Sequence, residues 1–163
     1  MTLPRSFGAV VDARTRVLIL GSLPGVRSLA VAEYYAHPRN AFWTLLGSVL
    51  DRDLRLLPYD ARLAAVLDAS VGLWDVVAAA RREGSLDSAI RAPELHDLAK
   101  LVRELPALAA VAFNGQTAAM LARRQGVDWG GVAQVALPSS SAAYTLPIGV
   151  KIEAWGVLRE FLS

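Results

Sequence analysis

Cysteine is absent from the 163 residues, and histidine and lysine are nearly so, with two of each. Without cysteine there is no disulfide, thiolate zinc site, cysteine nucleophile or iron–sulfur cluster. His37 and His96 are too few for a His-based metal site. Lys100 and Lys151 stand against fifteen arginines, a bias that a GC-rich genome produces and that also suits phosphate contact through the guanidinium fork. The net charge of +2 neither demands nor excludes nucleic acid, because a local basic stripe counts for more than a total. Long apolar runs are missing as well. The chain is 54% hydrophobic, yet no run reaches the roughly 18 residues of a membrane span, and MTLPRSFGAVVDARTRVL lacks the basic-then-apolar order of a signal peptide. These absences predict a cytoplasmic globular protein, and the length suits one domain over residues 1–163 that can bury roughly 70% of the unfolded chain's surface.

What is present alternates. RVLILG (16–21), ASVGLWDV (69–76), LAAVAFNG (108–115) and GVAQVALPS (131–139) are short apolar runs with strand character. Helical patterns cover 38–50, 58–68, 94–105, 116–125 and 149–162. Strands separated by helices predict an α/β fold of three layers, α/β/α, around a central, mostly parallel four-stranded sheet. Such folds bind ligands beyond the carboxyl ends of their strands, so the chemistry is expected in GSLPGVRS, WDVV, FNGQT and LPSSSAAYT.

Rings make up only 7% of the chain, yet four of them fall within YYAHPRNAFW, residues 34–43. A buried helix would carry fewer polar groups there, and a solvated loop fewer rings. GSLPG (21–25) is tight enough for the main chain to approach a ligand, or is simply a turn; it is neither a dinucleotide fingerprint nor a Walker loop. The serines of LPSSSAAYT can hold phosphate or form serine turns. Asp75, at a strand end, has to find donors or face desolvation, as a cap, an ion pair or a ligand contact. Asn114 is a turn residue or a ligand reader. A Schiff base would need a buried, desolvated lysine, which Lys151, beside an amphipathic terminal helix, is not expected to be.

Taken in order, the small-residue loop, the proline-asparagine-aromatic block, the acidic strand end and the serine loop resemble the uracil-DNA glycosylase superfamily, over residues 16–146. GSLPG stands at that family's first motif, HPRNAFW resembles the block that follows it in the mismatch-specific branch, and LPSSSAA stands at the second motif. Leu23 occupies the slot where that branch carries a water-activating asparagine, and Ser139 the slot of a histidine or asparagine in others. The pattern is most similar to the hypoxanthine-DNA glycosylase branch, whose catalytic asparagine lies in the PRNxFW block. The resemblance therefore implies that Asn40 holds the attacking water. It implies a base pocket of Gly21, Ser22, Leu23 and Phe42, with Trp43 and one of Tyr34 and Tyr35 as further rings, and Asp75 or Asn114 reading the base edge. DNA would be held by Arg39, Ser139, Ser140, Ser141 and Tyr144. The wedge slot is Ala143, too small to fill a vacated stack, so Tyr144 or Arg39 is expected to replace it. The implied activity is hydrolytic removal of a deaminated base, hypoxanthine favoured, from damaged DNA by a monomer without metal or organic cofactor. Uracil is the near alternative, and a nonenzymatic nucleic-acid-binding module the distant one.

Overall fold

A computed structural model describes residues 7–81, 85–87 and 90–162. The four expected strands form, each slightly shorter than its apolar run: β1 (Val17–Gly21), β2 (Val71–Asp75), β5 (Ala110–Asn114) and β6 (Ala133–Leu137). All are parallel, in the order β2-β1-β5-β6.

Both faces of this sheet are covered, which is why β1 and β5 read as unbroken apolar runs. Val17, Ile19, Val71, Leu73, Ala110 and Ala112 pack in one core against α2 (Phe42–Leu50), α3 (Tyr59–Asp68) and α6 (Ile148–Trp155), through Leu45, Leu46, Val66 and Trp155. On the opposite face, Leu18, Leu20, Val111 and Phe113 meet Leu98 and Leu101 of α4 (Leu98–Arg103) and Ala118 and Leu121 of α5 (Gln116–Arg123). Burying each such leucine, isoleucine or valine contributes roughly 1.5–3 kcal/mol, so the three layers rest on residues that alternate along every strand.

Several boundaries move for identifiable reasons. The helix expected from residue 38 begins at Phe42, behind Ala41 as N-cap, where Asn40 Oδ1 accepts from Phe42 N at 2.9 Å in a local asparagine turn that competes with helix. The helix expected from 94 begins at Leu98 behind Asp97, whose Oδ1 accepts from Lys100 N at 3.0 Å. The terminal helix passes from α6 into a 3₁₀ segment, Gly156–Phe161. Two features carried no sequence signal. The helix α1 (Val26–Val31) is only six residues long. An antiparallel pair, β3 (Val77–Arg81) and β4 (Arg91–Leu95), is built partly from alanines and a proline of low strand propensity. Among the described residues no helix is long and apolar enough to cross a membrane.

The chain leaves β1 for β2 on one side and returns past it to β5 on the other. That reversal opens a crevice at the carboxyl ends of β1 and β5.

Candidate active site

The last residues of β1, β2 and β5 are Gly21, Asp75 and Asn114. By strand alternation all three face the α2–α6 side, in line with Ile19, Leu73 and Ala112. Gly21 pairs directly with Asp75, and a methyl group at Gly21 would lie 2.6 Å from Asp75 Oδ1 and 2.9 Å from Tyr35 Oη. Only glycine lets the carboxylate and the phenol crowd the strand end. Val76 N and Val77 N donate to Gly21 O at 2.8 Å and Ser22 O at 2.9 Å, so the β1–β2 pairing runs on into the GSLPG loop and fixes it.

The two adjacent tyrosines part company. Tyr34 is 3% exposed, sets its ring edge-on to Phe7 and donates its hydroxyl to Gly8 O at 2.9 Å. Tyr35 stacks on Phe42, with centroids 3.7 Å apart and planes 10° apart, and Asn114 Nδ2 donates to its hydroxyl at 3.4 Å. Its φ of 54° is left-handed, a backbone strain of about 1–3 kcal/mol for a bulky residue and one that clusters at functional sites. Burial, reinforced by the charge of Asp75, pushes the Tyr35 phenol up against the opposing pull of the Asn114 bond; the group is therefore a neutral O–H at working pH.

Asn114 is engaged throughout. Its Oδ1 accepts from Ser140 N at 2.9 Å, and its Nδ2 donates to Ser140 Oγ at 2.9 Å as well as to Tyr35. Ala41 N donates to Ser140 O at 2.9 Å, tying the aromatic block to the serine loop. Trp155 Nε1 donates to Pro138 O at 2.9 Å, and Ser139 Oγ and Ser141 Oγ accept from Ser141 N and Ala143 N at 3.1 and 3.2 Å. The loop is thus shaped before any ligand arrives, and among the described residues the Ser139 and Ser141 hydroxyls only accept.

These groups enclose one cavity of about 720 Å³, inside the roughly 300–1,000 Å³ usual for small-molecule sites. Of the residues expected at the site, Asn40, Gly21, Ser22, Leu23, Asp75, Asn114, Arg39, Ser139, Ser140, Ser141 and Tyr144 line it. Phe42 does not. It is 0% exposed and lies beneath Tyr35, so Tyr35 lines the cavity in its place, with the largely buried Tyr34 also bordering it, and the expectation for Phe42 is corrected. Trp43 is likewise core. Ser140 is 1% exposed and bonded through N, O and Oγ; it anchors the loop, whereas the half-buried Ser139 and Ser141 face outward. Asn40 is half-buried, and among the described residues its Nδ2 donates to nothing, since only Oδ1 is engaged, at Phe42 N.

Three lining residues came with no signal in the sequence: Ser85, Leu86 and Asp87. Ser22 Oγ donates to Asp87 Oδ1 at 2.6 Å and Val26 N to Ser85 Oγ at 2.9 Å, contacts across some sixty residues of chain that exist only after folding. Behind β2, the His96 ring stacks on Trp74 at 4.1 Å and its Nδ1 lies 2.8 Å from Asp75 O, where a carbonyl partner requires Nδ1–H. Burial lowers the His96 pKa against that bond. Lys151 also departs from expectation, being 4% exposed inside α6, with Nζ donating to Ser141 O at 3.2 Å.

The chain matches the family model for the uracil DNA glycosylase superfamily over residues 7–158. It is 44% identical over 112 residues to a protein named hypoxanthine DNA glycosylase from Methanosarcina barkeri, covering 69% of this chain and 71% of that one. A second protein of that name, from Methanosarcina acetivorans, is 39% identical over 142 residues, covering 85% and 87%. The fold is similar to the solution NMR structure of a candidate uracil DNA glycosylase from Methanosarcina acetivorans, with a TM-score of 0.81, 36% identity and coverage of 98% and 99%.

Proposed function

The chain belongs to the uracil DNA glycosylase superfamily and is a DNA glycosylase, and on that premise we propose that it removes hypoxanthine from deoxyinosine in DNA, leaving an abasic site. One observation carries the excision reading: Asp75, 3% exposed, and the half-buried Asn40 amide line the same cavity. The relatives named hypoxanthine DNA glycosylase support it.

The target nucleotide has to leave the stack, at a cost of a few kcal/mol, before the base can enter this cavity. A ring under the flipped base returns roughly 1–3 kcal/mol, and Tyr35, braced by Phe42, supplies it. Hypoxanthine offers N1–H as donor and O6 as acceptor. Asp75 accepts from N1–H, and a backbone amide of the Gly21–Gly25 loop donates to O6. Adenine presents an unprotonated N1 to the same carboxylate and is repelled. Asn114 is the weaker candidate for this task because its amide is already bonded to Ser140 and Tyr35.

Asn40 then holds a water against C1′. The water oxygen bonds to C1′ as the C1′–N9 bond breaks, the electron pair leaves with the base, and the surplus water proton passes to solvent or base. Because positive charge develops on the sugar, an orienting amide suffices where a strong base is not needed. Ser139 and Ser141 donate to the flanking phosphates, and Tyr144, 47% exposed at the rim, fills the vacated stack. The whole chain acts as one glycosylase unit, a reading supported by the family match over residues 7–158, and as a monomer.

Duplexes carrying a single deoxyinosine, a single deoxyuridine or no lesion, incubated with the protein and then with alkali, test the reading. Strand breakage at deoxyinosine is expected. Breakage at deoxyuridine alone would transfer the substrate to uracil, whose N3–H and O4 present a similar edge; binding without breakage of any duplex would leave only a nucleic-acid-binding module.

A further inference from the structure

The serine loop is already fastened at Pro138 by Trp155 and at Ser140 by Asn114 and Ala41. Ser141 O accepts from Tyr144 N at 3.1 Å as well as from Lys151 Nζ at 3.2 Å. A neutral donor would serve that last bond equally well. Instead the fold buries an ammonium to 4% exposure, 5.4 Å from the Tyr144 ring centroid, with no carboxylate within ion-pair distance among the described residues. An ammonium withdrawn from water without a countercharge is destabilising, and the lowering of its pKa by burial has the same origin. A group that costs the free protein stability is accounted for if its countercharge arrives with the ligand.

We infer that Lys151 is a positioning residue for DNA: lying beneath the serine loop, it supplies the cation for the backbone phosphate that Ser139 and Ser141 receive, and it sets Tyr144 at the rim through its ring face. This rests on the glycosylase reading above. The phosphate contacts the loop on its outer side while the ammonium braces it from within, so the charge acts through the loop and never touches the reacting atoms.

The test compares wild type with Lys151→Met and Lys151→Arg in three measurements: thermal melting, binding to a duplex with a single stable abasic analogue across a salt series, and single-turnover excision at saturating enzyme. Lys151→Met is expected to melt at or above the wild-type temperature, to bind roughly three- to tenfold more weakly, and to lose about 0.9 from the slope of log affinity against log salt. Lys151→Arg keeps the slope. A lower melting temperature for Lys151→Met, an unchanged slope, or a loss confined to the saturated rate overturns the inference. If wild type binds the duplex yet excises nothing, the glycosylase reading falls, and the Lys151→Met slope still decides the role of the lysine.

Discussion

Asn40 has one task in this structure and a second under the proposed mechanism, and the obvious alanine variant removes both. Its Oδ1 accepts from Phe42 N at 2.9 Å in a turn just ahead of α2; loss of such a hydrogen bond costs about 1 kcal/mol. In a chain of 163 residues that lowers Tm by roughly 2–4 °C, and against a total stability of about 5–15 kcal/mol the protein remains folded at 25 °C. Loss of a polar group positioned for the transition state costs roughly 10²–10³ in rate, or about 2.7–4 kcal/mol. The second effect exceeds the first and separates from it. Asn40→Ser keeps an oxygen that can accept from the same N–H but is too short to hold a water where the amide did, and it lacks the NH₂. Asn40→Ala should therefore lose both Tm and rate, whereas Asn40→Ser should melt near wild type and still lose the rate. Single-turnover excision from a deoxyinosine duplex, beside thermal melts, reads both. An Asn40→Ser variant excising at the wild-type rate would refute the assignment of Asn40, whatever the base.

Three further outcomes follow from the geometry. Gly21→Ala places a methyl group 2.6 Å from Asp75 Oδ1 and 2.9 Å from Tyr35 Oη; overpacking of this kind costs about 1–3 kcal/mol of stability and displaces both groups, so excision should fall as well, and undiminished excision would show that neither group matters where it stands. Asn114→Ala leaves the buried Ser140 N–H without its acceptor, a loss of about 1–3 kcal/mol that melting should register together with weaker DNA binding; a variant as stable as wild type would deny Asn114 its anchoring role. Burial holds the folded-state pKa of His96 below the ordinary imidazole value of about 6.5, so between the two values the unfolded chain binds more protons. Its contribution is complete above the unfolded value and is lost as pH falls through the folded one. Tm should therefore drop as pH goes from about 7 to 5, and less steeply in His96→Gln; identical slopes in the two proteins would exclude His96 as a source of that dependence.

Much of the layout was legible before folding. Apolar runs ending in Gly21, Asp75 and Asn114 reveal both the strands and the sheet edge at which chemistry gathers, because period and turn residues are local properties. The PRNAFW block likewise places Asn40 beside a helix start. The displaced start of α2 shows the limit of such reasoning: the helical pattern extends back to Pro38, but a single side chain, Asn40, closes it at Phe42. The pair β3–β4 was invisible because its sequence has little strand propensity and the pairing joins segments separated along the chain.

From the order of its residues alone, this chain determines a parallel α/β sheet, the loops at its carboxyl edge and an asparagine just ahead of a helix start. Tertiary structure decided which ring lies against the cavity, Tyr35 over Phe42, and that the Asn114 amide turns to Ser140 and Tyr35. It also decided that Asp87 reaches Ser22 and that Lys151 lies buried under the serine loop. The physical reason is range. Propensity and periodicity act over a few neighbouring residues, whereas burial and hydrogen-bond choice depend on partners 65 or 79 positions away, which come into reach only when the layers close.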